Sequence, residues 1–418
     1  MDDQLGCWAC GRTDTVPATR CVCGEPLWYE MAPPPDALPA APTSMWTAGA
    51  PLPVDPPPGV PGSVGGTPTV RVPALDRIAG CRVWLKDETR NPTGTFKDRG
   101  SAVGVAHSVA AGDGAVGTVS HGNMAVSVAA NAAAMDAEAV VLVPKDIPTE
   151  RLGHIGRFDP TVIRVAGDYG QLYTDTLEVG PSVGIAFLNS DVPTRVAGQK
   201  TLAYEVIATF DRPPDAFVLP VSSGGNASGV WKALRELRDA EAIASMPRIY
   251  LVQAAACAPI AAADREDADR VRPTTPEQTI AYSIANPDPP SGNRALAAAR
   301  ETGGRVIAVD DDAIRDAQDA IATNTGIAVE PASATTIAGL RALTDAEEVD
   351  RDERVVAVAT GTGYREAPPM DATPRVVSLD ELPDELRSER GGPGHVLTAS
   401  GSGVRGGRPP AGYKSTRG

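Results

Sequence analysis

The first residue that could carry chemistry is Lys97, in the stretch Asn91-Pro92-Thr93-Gly94-Thr95-Phe96-Lys97-Asp98-Arg99-Gly100. Apolar residues before this loop predict a strand, and the Ala/Val-rich residues after it predict a helix that begins at Lys97. The positive end of a helix dipole and partial burial both lower the pKa of a lysine, which favours the nucleophilic amine that forms an imine. Taken alone, the pattern leaves a solvated surface lysine as the alternative.

A second candidate is the turn Ser222-Ser223-Gly224-Gly225-Asn226, which lies between a predicted strand and a predicted helix. Backbone N–H groups of such a turn, added to the dipole of the following helix, form a cradle for a phosphate dianion. The turn matches neither the G-x-G-x-x-G pattern nor the Walker pattern, so a dinucleotide or nucleoside triphosphate is the poorer interpretation. An ordinary tight turn stays open as the alternative.

Three further polar loops also follow apolar runs that predict strands. They are Ser120-His121-Gly122-Asn123, Asn189-Ser190-Asp191-Val192-Pro193-Thr194-Arg195 and Thr360-Gly361-Thr362-Gly363. Ligands of open α/β sheets gather at the carboxyl ends of strands, so these loops are expected to meet at one site. Each loop by itself is indistinguishable from a plain turn.

Four cysteines, Cys7, Cys10, Cys21 and Cys23, fall within the first 23 residues. Clustered thiols in a protein expected to be cytoplasmic more often bind metal than form disulfides, which predicts a small zinc-ribbon-like segment. The second pair has C-x-C rather than C-x-x-C spacing, so surface thiols without metal remain the alternative. Cys81 and Cys257 are isolated and are expected to be ordinary buried residues.

The remaining pattern alternates short apolar runs with Ala-rich helical stretches, which is typical of parallel strands with crossover helices. We expect an α/β protein. The predicted segments are a Cys-rich segment at 1–30, a Pro-rich extended linker at 31–66, a large domain at 67–104 and 201–375, a small α/β domain at 105–200, and a disordered tail at 376–418.

Composition excludes some classes of function. The chain has 418 residues and a net charge of −15, which argues against nucleic acid as a partner. No apolar run is long enough for a membrane span, and the first residues do not resemble a secretion signal, so we expect a cytoplasmic protein. Only six of the 38 basic residues are Lys, and this acidic, Lys-poor composition predicts adaptation to high salt.

From about Gly66 to Arg365 the sequence resembles the fold-type II pyridoxal-phosphate enzymes, and within them the threonine synthase family. Six blocks carry the resemblance in the family's order. They are the Asn91–Gly100 stretch, the Ser120–Asn123 loop, 198–205, the Ser222–Asn226 turn, 326–334 and the Thr360–Gly363 loop. The Cys cluster before the body is also similar to family members. The resemblance implies two parallel-sheet α/β domains with pyridoxal 5'-phosphate in the cleft between them.

The resemblance also implies roles for single residues. Lys97 would be the Schiff-base lysine, Asn123 would face the hydroxyl of the cofactor ring, and Thr360 would meet the pyridine nitrogen. The turn of Ser222, Ser223, Gly224, Gly225 and Asn226 would hold the cofactor phosphate. Ser190 and Arg195 would hold the phosphate of the substrate O-phosphohomoserine.

The implied reaction is a lyase-type replacement that gives threonine and phosphate. Met124 and His121 depart from the family pattern, so a threonine or serine dehydratase or another paralogue is the alternative. A protein that binds cofactor or partners without catalysis is the alternative from a different class. The expected partner is a small amino acid, with no nucleic acid and no membrane. The sequence leaves the oligomeric state open, with a homodimer as the assembly to test.

Overall fold

The computed structural model describes residues 4–34, 38, 41–167, 169–365 and 376–391. The strands, in chain order, are β1 (Gln4–Cys7), β2 (Thr13–Thr15), β3 (Leu27–Tyr29), β4 (Thr69–Arg71), β5 (Arg82–Asp87), β6 (Ala115–Val119), β7 (Glu138–Pro144), β8 (Thr161–Val165), β9 (Ile185–Phe187), β10 (Ala216–Pro220), β11 (Arg248–Ala254), β12 (Val306–Val309) and β13 (Arg354–Ala359).

The α-helices are α1 (Pro73–Ala79), α2 (Lys97–Ala111), α3 (Asn123–Ala134), α4 (Thr149–Gly156), α5 (Tyr169–Val179), α6 (Pro193–Thr209), α7 (Gly225–Asp239), α8 (Pro259–Arg265), α9 (Gly292–Glu301), α10 (Asp311–Thr325), α11 (Pro331–Asp345) and α12 (Leu382–Gly391). In the part of the chain that the structure describes, no helix has the length and apolar character needed to cross a membrane.

Two sheets form the α/β body, as the sequence pattern predicts. The larger has the order β12-β11-β10-β13-β5-β4, and only β4 runs antiparallel to its neighbour. The smaller has the order β8-β7-β6-β9 and is parallel throughout. Both lie within the unit Met1–Ala367. The domain boundaries given above stay a prediction.

Side-chain alternation explains why the large sheet carries helices on both faces. Along β10, Phe217 and Leu219 belong to one hydrophobic cluster and Val218 to the other. Because successive strand residues point to opposite faces, each face needs its own apolar cover. Trp231 of α7 lies in the first cluster, and Ile337 of α11 lies in the second.

The Cys-rich segment forms a three-stranded antiparallel sheet of order β2-β1-β3. It packs on the body through aromatic side chains, since Trp8 and Trp28 both stack edge-on against Trp231, with ring centroids 5.8 and 5.4 Å away. Leu5 and Leu27 join a buried cluster that also contains residues of α2 and α6. We call residues 4–31 the Cys-rich module.

Two predicted segments differ from the structure. The Pro-rich stretch 31–66 is not merely an extended linker, because Met45 and Val64 are buried in the cluster beneath the Cys-rich module and short 3₁₀ helices form at Met45–Thr47 and Val60–Ser63. Apolar side chains between the prolines supply this packing. The segment predicted as a disordered tail contains α12, and its remainder from residue 392 lies outside the described residues.

Candidate active site

The polar loops predicted from the sequence line one cavity of about 440 Å³, a size usual for a small-molecule site. Each lies at the carboxyl end of a parallel strand, where ligands of α/β sheets bind. The predicted residues that line the cavity are Lys97, Asn123, Ser190, Ser222, Ser223, Gly224, Gly225, Asn226 and Thr360. His121 and Met124, the two departures from the family pattern, line it as well.

Lys97 is the first residue of α2, as predicted. The loop before it is tied to the end of β13, because Phe96 N–H donates to the carbonyl of Thr360 (2.9 Å) and Thr362 N–H donates to the carbonyl of Gly94 (2.9 Å). These two bonds place the lysine beside the Thr360 loop. The Lys97 ammonium also lies over the Phe96 ring, 4.5 Å from its centroid.

The pKa of Lys97 is lowered to about 7. Burial is the main cause, the positive charge of Arg195 adds to it, and the negative charge of Glu330 opposes it. Loss of hydration disfavours the charged ammonium, and a nearby like charge does the same. Near neutral pH, therefore, a substantial fraction of this amine is unprotonated and can act as a nucleophile or base.

A buried ion network holds α2 in place just after Lys97. Arg99 donates to Glu88 from Nε (2.7 Å) and to Glu205 from Nη1 (2.6 Å), and all three side chains are buried. A Cβ at Gly198 would lie 2.1 Å from the Arg99 carbonyl oxygen, so only glycine lets α6 approach α2 this closely. Because breaking a buried pair leaves an uncompensated charge, this network fixes the helix that carries the lysine.

Glu330 is a site residue that sequence reasoning did not single out. It lines the cavity, and its carboxylate accepts bonds from Asn123 Nδ2 (2.7 Å) and Thr360 Oγ1 (3.2 Å). Thr360 Oγ1 also lies 2.8 Å from Ser333 Oγ. An acidic residue just before α11, in an otherwise apolar stretch, was the available signal. Glu330 links two of the predicted cofactor-binding residues.

The Ser222–Asn226 turn has the features of a phosphate cradle. Helix α7 begins at Gly225 with no side-chain cap, so its first N–H groups have no partner within the helix. Both polar atoms of the Asn226 side chain are buried without a hydrogen-bond partner. Gly224 has φ +90°, and a Cβ there would lie 2.5 Å from the carbonyl oxygen of Ser291. Uncapped amides and an unpartnered buried amide are what a phosphate group would satisfy.

Ser190 packs closely against that turn. It follows β9, and a Cβ at Gly225 would lie only 2.4 Å from its carbonyl oxygen. Its hydroxyl is 3.2 Å from the hydroxyl of Tyr173, which also lines the cavity and which sequence reasoning missed. Tyr173 lies in α5, where its aromatic character gave no sign of a site.

Arg195 does not line the cavity in the described structure, and its role at the substrate phosphate stays a prediction. Its guanidinium is completely buried and donates from Nη1 to Ser101 Oγ (2.9 Å), and Nη2 lies 3.4 Å from the carbonyl of Lys97. Arg195 is on α6, which packs against α2, and its side chain lies in this helix contact. In the described structure it acts on Lys97 through its charge.

The four N-terminal cysteines come together. Their Sγ atoms all lie within 4.8 Å of one another, with Cys7 and Cys23 at 3.5 Å and Cys10 and Cys21 at 3.6 Å. Tetrahedral Zn²⁺ with Zn–S bonds of about 2.3 Å requires sulfurs about 3.8 Å apart. The C-x-C spacing is therefore compatible with a tetrahedral set of thiolates.

Known proteins resemble this chain in cofactor class and in fold. Residues 60–361 match the family of pyridoxal-phosphate dependent enzymes. A threonine synthase of Methanocaldococcus jannaschii is 36% identical over 305 residues, which cover 72% of this chain and 75% of that protein. A threonine synthase of Methanosarcina acetivorans is 34% identical over 321 residues, which cover 76% of this chain and 79% of that protein.

Among solved structures, maize serine racemase superposes with a TM-score of 0.61 over 78% of this chain and 92% of that chain. Its sequence identity to this chain is 20%, so the likeness concerns the fold. It supports the fold-type II architecture with two α/β sheets.

Proposed function

This chain belongs to the pyridoxal-phosphate-dependent enzymes and, within them, to the threonine synthase family, and we propose that it converts O-phosphohomoserine and water into threonine and phosphate. One observation carries the proposal. Lys97, Asn123, Thr360 and the Ser222–Asn226 turn line the same cavity as Ser190. A site for a phosphorylated cofactor therefore adjoins a hydroxyl that could receive a second phosphate.

The chain's own residues would hold pyridoxal 5'-phosphate at three places. The N-terminus of α7 and Asn226 would bind the phosphate, Lys97 would attach to the carbonyl carbon, and Thr360 would meet the ring nitrogen. The bound cofactor withdraws electrons from the substrate carbon next to the amino group, which makes its proton removable. Thr360 is oriented for its task by Ser333 and Glu330.

Lys97 is the residue placed to move protons. With a pKa lowered to about 7, its free amine accepts a proton from Cα or Cβ of the substrate at neutral pH and returns it to Cγ. Over the whole reaction the Cγ–O bond breaks, the electron pair leaves with phosphate, and the oxygen of water bonds to Cβ. One basic group near these carbons serves the proton transfers in turn.

Substrate binding would use the small-sheet side of the cavity. Helix α3 begins at Asn123 without a side-chain cap, so its first amides can bind the substrate carboxylate. Ser190 offers its hydroxyl to the substrate phosphate, and Tyr173, whose own proton goes to Asp191, lies beside it. The side chain of Met124 is buried in the cavity wall and has no hydrogen-bond donor.

We also propose that Cys7, Cys10, Cys21 and Cys23 bind one structural zinc ion. The clustering of four sulfurs supports this, since thiolates are preferred ligands of Zn²⁺ and a closed Cys₄ set is typical of structural sites. Elemental analysis of the purified protein should give about one zinc per chain. A zinc-free protein with an intact module would contradict the assignment.

The function is tested by incubating the cofactor-loaded protein with O-phosphohomoserine and measuring phosphate and threonine together. We expect equal amounts of the two products. L-Threonine and L-serine are supplied in parallel, because a dehydratase would turn them into 2-oxo acids and ammonia. Formation of 2-oxo acid from L-threonine or L-serine, with no phosphate released from O-phosphohomoserine, would overturn the proposal in favour of a dehydratase.

A further inference from the structure

The Cys-rich module reaches into the active-site cavity through one residue, Arg20. Among the described residues of the module, Arg20 alone lines the cavity, together with Lys97 and Asn226 of the body. It directly precedes Cys21, and 31% of its side chain is exposed. A guanidinium is thus available to a ligand in the cavity.

The body fixes the position of this guanidinium. Nη2 of Arg20 donates to Asp191 Oδ2 (3.0 Å), and Nη1 donates to the carbonyl of Gly24 (3.1 Å). Asp191 is buried and also accepts bonds from Tyr173 and Ser291. Nη1 and Nη2 each also donate to the Pro290 carbonyl at the longer distance of 3.4 Å, so all four of their N–H groups are directed at protein oxygens. Arg20 is therefore oriented, and a ligand in the cavity would bind Nε–H or displace the long bonds to Pro290.

Arg20 has a second cation in its surroundings. The guanidinium of Arg294 is completely buried and donates to hydroxyl and carbonyl oxygens, including the carbonyls of Pro26 and Leu27 in the module. Burial lowers the pKa of Arg294 to about 10, the charge of Arg20 adds to this, and the charges of Asp191 and Glu25 oppose it. The two guanidinium groups therefore repel each other, and an anion bound at Arg20 would reduce that repulsion.

Arg20 lies where two phosphate groups could approach. The Pro290 carbonyl that it contacts precedes Ser291, whose N–H donates to the carbonyl of Ser223 (2.9 Å) in the glycine turn. On its other side, Asp191 follows Ser190. Arg20 therefore adjoins both the turn suited to the cofactor phosphate and the hydroxyl suited to the substrate phosphate. Arg195, by contrast, does not line the cavity.

We propose that Arg20 is a phosphate-binding residue of this cavity, so that the Cys-rich module completes the active site. The ligand is a phosphate monoester, which a guanidinium binds with charge-assisted hydrogen bonds. The phosphate group belongs either to the cofactor or to the phosphorylated substrate. The second possibility rests on the proposed function.

The test compares Arg20→Ala and Arg20→Lys with the unmodified protein. Arg12→Ala is the matched control, because Arg12 is an exposed arginine of the same module that does not line the cavity. Three constants are measured: the Kd of pyridoxal phosphate for cofactor-free protein, the Kd of inorganic phosphate for the holoenzyme, and the KM for O-phosphohomoserine.

Because Arg20→Ala removes a charge-assisted hydrogen bond, we expect the affected Kd or KM to increase by roughly tenfold to hundredfold. If Arg20 binds the cofactor phosphate, the Kd of pyridoxal phosphate should increase in Arg20→Ala. If Arg20 binds the substrate phosphate, the Kd of inorganic phosphate and the KM should increase while the Kd of the cofactor is unchanged. Arg20→Lys should recover part of the loss, because it keeps the charge without the guanidinium, and it decides the question if Arg20→Ala does not fold.

The proposal is overturned if all three constants stay within about twofold of the unmodified values, or if Arg12→Ala causes the same loss. Failure of the unmodified protein to use O-phosphohomoserine would instead count against the proposed function. The Kd values of pyridoxal phosphate and inorganic phosphate would still decide the role of Arg20.

Discussion

The floor and the rim of the cavity are built in different ways. The floor consists of Lys97, the Ser222–Asn226 turn and Thr360, each of which follows a strand of the six-stranded sheet. The rim consists of Arg20, Tyr173 and Ser190. There the Arg20–Asp191 bond joins residues 171 positions apart in the chain. The floor is specified locally, whereas the rim exists only once distant segments have packed together.

The largest effect is expected from a substitution in the floor. Lys97→Ala removes the group proposed to bind the cofactor and move protons, so turnover should fall by about 10²- to 10⁴-fold or more. The visible absorbance of the cofactor imine should disappear as well. Both are measured with the cofactor-loaded protein.

Lys145→Ala is the matched control, because Lys145 is an exposed lysine that does not line the cavity. It should keep full turnover and absorbance. Retained activity in Lys97→Ala, with threonine and phosphate still formed at the normal rate, would remove the floor from the proposed mechanism.

A smaller effect is expected when the rim is disturbed from the zinc side. If the four cysteines hold zinc as proposed, a chelator should loosen the module next to Arg20 and raise the same phosphate Kd or KM that Arg20→Ala raises, by roughly tenfold. The two changes act on one contact and should not multiply when combined. Titrations with and without chelator, on unmodified protein and on Arg20→Ala, measure this coupling.

If chelation weakens phosphate binding by the same factor in Arg20→Ala as in the unmodified protein, the module influences the cavity by another route. An unchanged constant after complete zinc removal would show that Arg20 is held by Asp191 and Pro290 without help from the metal. Either result would separate the zinc site from the rim.

The smallest expected effect is a shift in pH dependence. Lys97 is unreactive while protonated, so the rate at which cofactor-free protein captures pyridoxal phosphate should rise through a pH of about 7 and then level off. Because the charge of Arg195 helps to lower this pKa, Arg195→Met should move the inflection to higher pH. Stopped-flow absorbance across the pH range gives both curves.

A lysine in ordinary solvent would instead keep gaining reactivity up to a pH of about 10. That profile in the unmodified protein would contradict the lowered pKa. An unmoved inflection in a folded Arg195→Met variant would show that burial alone sets it.

Local patterns made much of the fold and of the floor predictable. The alternation of apolar runs and Ala-rich stretches predicted the α/β body, and the loop before Lys97 predicted the start of α2. The Pro-rich pattern predicted an extended linker at 31–66, and it could not show that Met45 and Val64 would be buried against apolar partners.

The charged groups near the cavity could not be predicted in the same way. Arg195 was predicted to bind the substrate phosphate, and the sequence did not show that its side chain would be buried between α2 and α6. Arg20 and Glu330 were not singled out, because their partners in the cavity are far away in the chain. A charged side chain shows its role only when the surface that it faces is known.

The sequence by itself determined which chemical groups stand at the ends of the strands. A strand, a short turn and a helix fix the direction of a few backbone N–H groups and of one lysine within about ten residues, so their geometry follows from local sequence. The tertiary structure decided which arginine faces the cavity. Long side chains can point to either side of an element, and packing between distant segments, here the Cys-rich module on the body, selects one of them.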